Sequence, residues 1–467
     1  MPPFTRNLLL FALANTVLVN LLLKLTQGRL EYPRAHQEAG WREGTPYHFG
    51  KFVLFRTWEG DSWATMTAAW KYLQSPAGGS VYDHVWFEQQ FKFQYPLSSL
   101  FPIEVIHLLL PGDVIRWAPL NLVSWFAVWG TALLVALIFR DACREHLDPS
   151  ILRGSSRADE MVRMAIAAGL TLAFYPILMA FTIGQIQPWI DFLFAAMIWL
   201  WMKKQPAAAG VMAGLMCLIK PQMALLLFWA ALRQQWRFAG ALAVVVGVGS
   251  AASLALYGLE QNLNYLSFLS YMSRHGETGY ANQTVNGLVN RLLHNGDNAG
   301  LGIPSFAPFR WPVYISTMAS SGLLVGFAML WRRSEYAGAQ TFDLMIAGLT
   351  FTIASPIAWT QHYGILMPIF AALLPAMLRW PVFGGASLAY LAIAYVLSSN
   401  LFYFTRFFAD TSFTLVQSYV LLAALIVLAA LYGMRRACAR EPAVEPARGA
   451  AEPASARFAI AGKHSTA

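Results

Sequence analysis

Residues 161–204 read MVRMAIAAGLTLAFYPILMAFTIGQIQPWIDFLFAAMIWLWMKK. Two apolar runs, 161–181 and 188–202, flank the short polar turn Gly184-Gln185-Ile186-Gln187-Pro188, and the second run ends on Lys203-Lys204. A helix that crosses a bilayer needs roughly 20 apolar residues, with a range of about 17–25. Gly and Pro favour the tight turn that would join two such helices. The same pattern continues outward in both directions, with apolar runs at 7–24, 117–139, 238–257, 312–331, 382–400 and 413–434.

Two further apolar regions are interrupted, 207–232 at Lys220-Pro221 and 341–378 at Ser355-Pro356. Proline ends or kinks a helix at the residue before it, so each region reads as two short helices meeting at a tip. The expectation is an all-α polytopic membrane protein with about 11–13 membrane-crossing segments. It forms one membrane domain over 1–434, followed by a disordered cytoplasmic tail at 435–467 that is rich in Ala, Pro, Glu and Arg. The run that follows Arg6-Asn7 precedes no small-residue cleavage site, which reads as an uncleaved first span.

Composition agrees. Of 467 residues, 57% are hydrophobic and 12% charged, against about 25% charged in soluble proteins. The 17 Trp suit a chain with two membrane interfaces. Three cysteines far apart argue against a structural disulfide or a cysteine zinc site, and no metal or cofactor is expected. The net charge of +9 comes from bases that flank the apolar runs rather than from one basic domain, so it reports orientation and not nucleic acid.

With the N-terminus placed in the cytoplasm, the cytoplasmic connections carry Arg140, Arg144, Arg153, Arg157, Lys203, Lys204, Arg233, Arg237, Arg332, Arg333, Arg379, Arg435 and Arg436. The short outer connections carry only Lys220 and Arg406. By the positive-inside rule both termini are cytoplasmic. Two long outer loops remain, about 25–116 and about 258–311.

In the first of these, DSWATMTAAWKYLQ at 61–74 places Trp63, Met66, Trp70 and Leu73 on one helical face. The helix is too short to span and is expected to lie in the interface. Asp61 opens it, and two roles fit: an N-cap, or a catalytic carboxylate at the membrane surface that a helix N-terminus helps keep ionised. The stretch 97–110, after Tyr95-Pro96, reads as a second interfacial or re-entrant helix.

The other polar positions on this side have similar pairs of readings. Gln185 and Gln187 are turn residues or sugar-hydroxyl ligands. Lys220 snorkels to the interface or meets an anionic lipid headgroup. Arg291 is a solvated loop residue or a bidentate phosphate clamp. His362 is structural or donates a proton to a phosphate leaving group. Asp191 is an ionisable residue near a span start.

In this order, Asp61, Tyr95-Pro96, Gly184-Gln185, Ala209-Gly210 through Gly214 to Lys220-Pro221, Asn282-Gln283, Arg291-Leu292, and Ser355-Pro356-x-x-Trp359 followed by His362 resemble glycosyltransferase family 87 of the GT-C class. The resemblance runs from about Asp61 to about Pro368. Two positions depart from the family's pattern: Leu97, where relatives often carry a second Pro, and Gln361, where relatives often carry a His. The second departure leaves His362 as the one histidine of that tip.

The resemblance implies a GT-C-like bundle that moves a hexose, mannose above all, from a polyprenyl phosphate to a lipid or glycan acceptor with inversion. Asp61 would be the general base. Lys220, Arg291 and His362 would bind the donor phosphate, and Tyr95, Gln185, Asn282, Gln283 and Trp359 would bind substrate. The expected location is the bacterial inner membrane, with the site facing the periplasm or cell exterior. The competing reading is a transporter or flippase for a lipid-linked sugar, because broken helices also mark transporter sites.

Overall fold

A computed structural model describes residues 1–29, 44–57, 60–75, 78–110, 115–148, 150–152, 155–298, 306–330 and 337–440. The architecture is all-α, with two isolated β-bridges among the described residues, Glu277 to Phe306 and Asn282 to Trp359. The chain opens with α1 (Pro3–Leu13), a π-helical turn (Ala14–Val19) and α2 (Asn20–Arg29). Next come α3 (Thr45–Val53), α4 (Asp61–Gln74), α5 (Phe101–Leu109), α6 (Ala118–His146), α7 (Arg157–Leu172), α8 (Tyr175–Thr182), α9 (Gln187–Met202), α10 (Pro206–Cys217) and α11 (Leu225–Leu232). The second half holds α12 (Trp236–His275), α13 (Val285–Leu292), α14 (Trp311–Leu330), α15 (Ala337–Ile353), α16 (Leu366–Arg379), α17 (Ser387–Ser399) and α18 (Tyr419–Arg440).

Six helices among the described residues are long and apolar enough to cross a membrane, and the bent pair α7–α8 makes a seventh. That pair turns by 52°, because Pro176 in the first turn of α8 cannot continue the helix before it. Shorter apolar helices come from the interrupted regions, as the prolines require. Lys220 adopts extended backbone ahead of Pro221 and separates α10 from a 3-10 turn and α11. α12 breaks at Gly258, whose φ of 77° falls where only glycine sits at ease. The long outer loop expected from residue 258 therefore begins with a helix.

The helix through Thr360–Arg379 is the most enclosed, with 89% of its apolar window buried, against 22% for Trp311–Leu330. The first is a central strut, and the second leaves most of its apolar surface uncovered by the rest of the described chain. Gly210 and Gly214, four residues apart, let α10 lie against α12. A Cβ on Gly210 would stand 2.3 Å from the Phe238 carbonyl oxygen, a small-xxx-small contact typical of membrane helices.

Two expectations need correction. The apolar face of α4 does not lie in the membrane interface, since Trp63, Met66 and Trp70 are buried in the protein core. Trp63 donates to Asn121 (2.8 Å) at the start of α6 and packs on Trp189, while Trp70 packs on His107 of α5. The stripe was real, but other helices cover it rather than lipid. Arg233 and Arg435, read as loop charges, are also buried. Both contact Asp343, Arg233 Nε at 2.7 Å from Oδ2 and Arg435 Nε at 3.0 Å from Oδ1. Trp229 donates to Asp343 as well, and Arg233 donates to the carbonyls of Ala328 and Met329 at the end of α14. α18 continues to Arg440, and the expected disordered stretch beyond it lies outside the described residues.

Removing one partner from a buried ion network leaves uncompensated charge. Asp343→Ala is expected to lower unfolding free energy in detergent by about 3–5 kcal/mol, read by chemical denaturation, with Asp343→Glu less affected.

Candidate active site

The start of α4 is held on the turn between α8 and α9. Gly184, with φ 70°, shapes that turn. The Asp61 and Ser62 amides donate to the carbonyls of Ile183 (2.8 Å) and Gly184 (3.2 Å). Ser62 Oγ accepts from the Ile186 amide at 3.1 Å and pairs with the Tyr95 hydroxyl at 2.9 Å. Four free amides at a helix start seek acceptors, and here carbonyls of the turn supply two.

Asp61 is therefore not an N-cap. Gly60 occupies that position, and no side chain caps the helix. The Asp61 carboxylate instead accepts from Gln185 Nε2 at 2.6 Å and keeps exposed surface. Desolvation by the surrounding protein holds its pKa above the ordinary carboxylate value. The Gln185 hydrogen bond and the charge of Lys92 oppose that shift, and the charge of Glu277 adds to it. A reachable carboxylate with a raised pKa and a fixed orientation suits proton abstraction from a hydroxyl.

A cavity of about 630 Å³ lies beside this junction. Tyr95, Lys220, Ser355 and His362 line its polar part. Leu225, Leu269, Met272, Met318, Val325 and Phe351 give it apolar walls. Lys220 Nζ donates to Gln187 Oε1 at 2.6 Å, and Gln187 Nε2 donates to Asp191 at 2.7 Å. Asp191 packs so closely on the tip that a Cβ on Gly364 would stand 2.1 Å from its Oδ2. The Trp359 amide donates to His362 Nδ1 at 3.2 Å. In the neutral ring that bond places the proton on Nε2, leaving a donor.

The structure thus brings Lys220 and His362 together with Tyr95, and ties Gln185 to Asp61. It does not bring Arg291 to the cavity. Arg291 is fully buried. Its Nη1 donates to the carbonyls of Thr278, Gly279 and Asn282, and its Nη2 to Ser418 Oγ at 2.5 Å. These bonds replace the expected phosphate clamp with a brace for the 278–282 loop. Asn282 and Gln283 brace as well. Asn282 bonds the Pro356 carbonyl and the Ala358 amide, and Gln283 bonds the Gln417 carbonyl and the Val420 and Leu421 amides.

Sequence reasoning missed one cluster. Glu277 accepts from Lys92 through one oxygen and from Trp359 Nε1 through the other. Lys92 also sits over the Trp359 ring, 5.4 Å from its centroid. Lys92 precedes Tyr95 by three residues, and Glu277 follows a glycine whose φ is positive. Neither position carries a spacing signal that joins it to the other. Among the described residues, no group of three His, Cys, Asp or Glu side chains is arranged to hold a metal ion.

This is a polytopic membrane protein with a polar junction joined through Tyr95 to the wall of an amphiphilic cavity. The family model for Glycosyltransferase family 87 matches residues 93–356, more than half of the chain, and the chain belongs to that family. The resemblance read from the sequence is borne out. Asp61, Trp359 and His362 lie outside the matched residues. Among curated proteins, the polyprenol-phosphate-mannose-dependent alpha-(1-2)-phosphatidylinositol pentamannoside mannosyltransferase of Mycobacterium tuberculosis is 25% identical over 310 residues. That match covers 64% of this chain and 63% of the relative.

Arg291→Ala strips four acceptors of a buried donor, each worth about 1–3 kcal/mol. The expected result is a loss of on the order of 3 kcal/mol in unfolding free energy, with donor KM unchanged in protein that stays folded. A rise in donor KM without a loss of stability would restore the phosphate-clamp reading.

Proposed function

We propose that this chain is a membrane glycosyltransferase that moves a hexose from a polyprenyl-phosphate donor to a hydroxyl of a lipid or glycan acceptor. The observation that carries this reading is an accessible, raised-pKa carboxylate, Asp61, whose chain neighbour Ser62 bonds Tyr95 in the wall of a cavity that has Lys220 and His362 at its polar part and apolar walls beyond. That cavity suits a ligand with an anionic head and a hydrocarbon chain. The printed name of the mycobacterial relative supports mannose as the sugar and polyprenol phosphate as its carrier.

In this mechanism Asp61 takes the proton of the acceptor hydroxyl. The oxygen attacks the anomeric carbon from the face opposite the phosphate. The carbon–oxygen bond to the phosphate breaks, the configuration inverts, and polyprenyl phosphate leaves with its negative charge. Lys220 and the Nε2–H of His362 stabilise the charge that develops on that phosphate. Tyr95 lines the cavity and bonds Ser62, next to the base, and Gln185 orients the base. The Lys/Arg bias supports cytoplasmic termini and a site on the periplasmic or exterior face of a bacterial plasma membrane.

The competing reading, a transporter or flippase, draws on the two helix breaks that line the same cavity. One assay separates the two. Purified protein is given polyprenyl-phosphate-mannose and an acceptor lipid extract, and mannosylated product is followed. In parallel, sealed vesicles report movement of the lipid-linked sugar. Movement without transfer would overturn the transferase reading.

Asp61→Asn is expected to lower kcat/KM by about 10²–10⁴-fold with the thermal midpoint retained. Because the folded pKa is raised, the ionised base is present above that pKa and lost as pH falls through it. The wild-type acid limb should therefore lie above the ordinary carboxylate range of about 3.9 and vanish in Asp61→Asn. Lys220→Ala should raise donor KM about tenfold or more, the worth of a charged hydrogen bond.

A further inference from the structure

Glu277 joins three segments that are distant in sequence. It is buried, and its two oxygens take Lys92 from the first long loop and the Trp359 indole from the tip. Lys92 in turn lies over the Trp359 ring, whose other neighbour is His362 with ring centroids 5.6 Å apart. A buried carboxylate bonded to one cation and one N–H has its geometry fixed at both oxygens. The pair also connects to the proposed base, because Tyr95, three residues after Lys92, bonds Ser62 next to Asp61 at 2.9 Å. The polar and charged groups acting on Asp61 are Gln185, Lys92 and Glu277, and the Asp61 charge is felt in turn by Tyr95.

We infer that Glu277 is a positioning residue: it holds Lys92 across Trp359 so that the opposite charges of the pair offset one another at Asp61. This rests on the reading of Asp61 as the base. A lone lysine beside the base would favour its ionised form and weaken its proton affinity. A lone glutamate would disfavour ionisation and leave the base protonated over more of the working range. Held together, the two let desolvation set the affinity of Asp61. The same bonds fix the edge of Trp359 next to His362, so Glu277 also couples the base side of the site to the phosphate side.

The test is the pH dependence of kcat/KM for the purified full-length chain with polyprenyl-phosphate-mannose and acceptor. Glu277→Gln leaves Lys92 uncompensated, and the acid limb should move to lower pH by about half a unit or more. Lys92→Met leaves Glu277 uncompensated, and the limb should move the same distance to higher pH. Lys92→Met combined with Glu277→Gln should return the limb near its wild-type position, and Lys92→Arg should leave it there. General structural damage has no reason to move the limb in opposite directions and then restore it. Shifts of the same sign, or none, would overturn the inference. Where Glu277→Gln folds poorly, the upward shift in Lys92→Met carries the test alone. Asp61→Asn is run alongside: if it retains activity and the acid limb, the base assignment fails, and the result is distinguishable from a failure of Glu277 alone.

Discussion

A helix broken inside a membrane domain must find partners for the backbone groups it frees, because lipid offers none. The loop 278–284 meets that constraint here. Asn282 bonds both sides of the Ser355-Pro356 break through the Pro356 carbonyl and the Ala358 amide. The Gln283 amide donates to the Ala358 carbonyl, and the Thr360 amide to that of Ala281. The Gln283 side chain then accepts from the Val420 and Leu421 amides at the start of α18. Arg291 supplies donors for three carbonyls of the loop itself. One short polar segment thus pins a helix break and a helix start, and the position of His362 follows from it.

The chain of placement continues across the site. Trp359 sits where Asn282 and the Glu277 carboxylate hold it, and its amide orients His362. On the other side, the turn at Gly184 receives α4 and gives Gln185 to Asp61. Two residues later the same turn gives Gln187 to Lys220. The four-residue connection and the first residue of α9 therefore touch both the proposed base and the candidate phosphate ligand. Small shifts in the α8–α9 turn would move both groups together, which would suit the proposed displacement, where attacking and leaving oxygens must stay in line.

Much of this architecture is legible in the sequence because prolines and apolar runs report it directly. Lys220-Pro221, Ser355-Pro356 and the Gly-Gln turn mark real breaks for local backbone reasons. Local pattern does not reveal what covers a face. The stripe on α4 has the right spacing for an interface, and only the packing of α5, α6 and Trp189 shows that protein covers it. The Gly258 break lacks a proline and depends on a positive φ that many glycines never adopt. Arg291 looks like any exposed loop arginine until its carbonyl partners, nine to thirteen residues upstream, fold back onto it. Lys92 and Glu277 stand 185 residues apart, and no periodicity links them.

The buried charges also divide the molecule. Arg233, Asp343 and Arg435 meet where α11, α15 and α18 approach each other, at the end of α11 away from the Lys220 tip. Arg233 spends its donors on Asp343 and on helix-terminal carbonyls, and Arg435 ion-pairs with the same carboxylate, which makes that cluster a lock. Lys220 is held differently. Its contact with Gln187 uses a neutral acceptor and one of the three donors an ammonium carries. That neutral partner restrains the position of the ammonium, and Gln187 in turn holds the Asp191 carboxylate, whose charge also acts on Lys220. An ammonium fixed in place and lining a cavity with apolar walls is an arrangement that the proposed anionic headgroup would complete, whereas Arg233, Asp343 and Arg435 do not line that cavity.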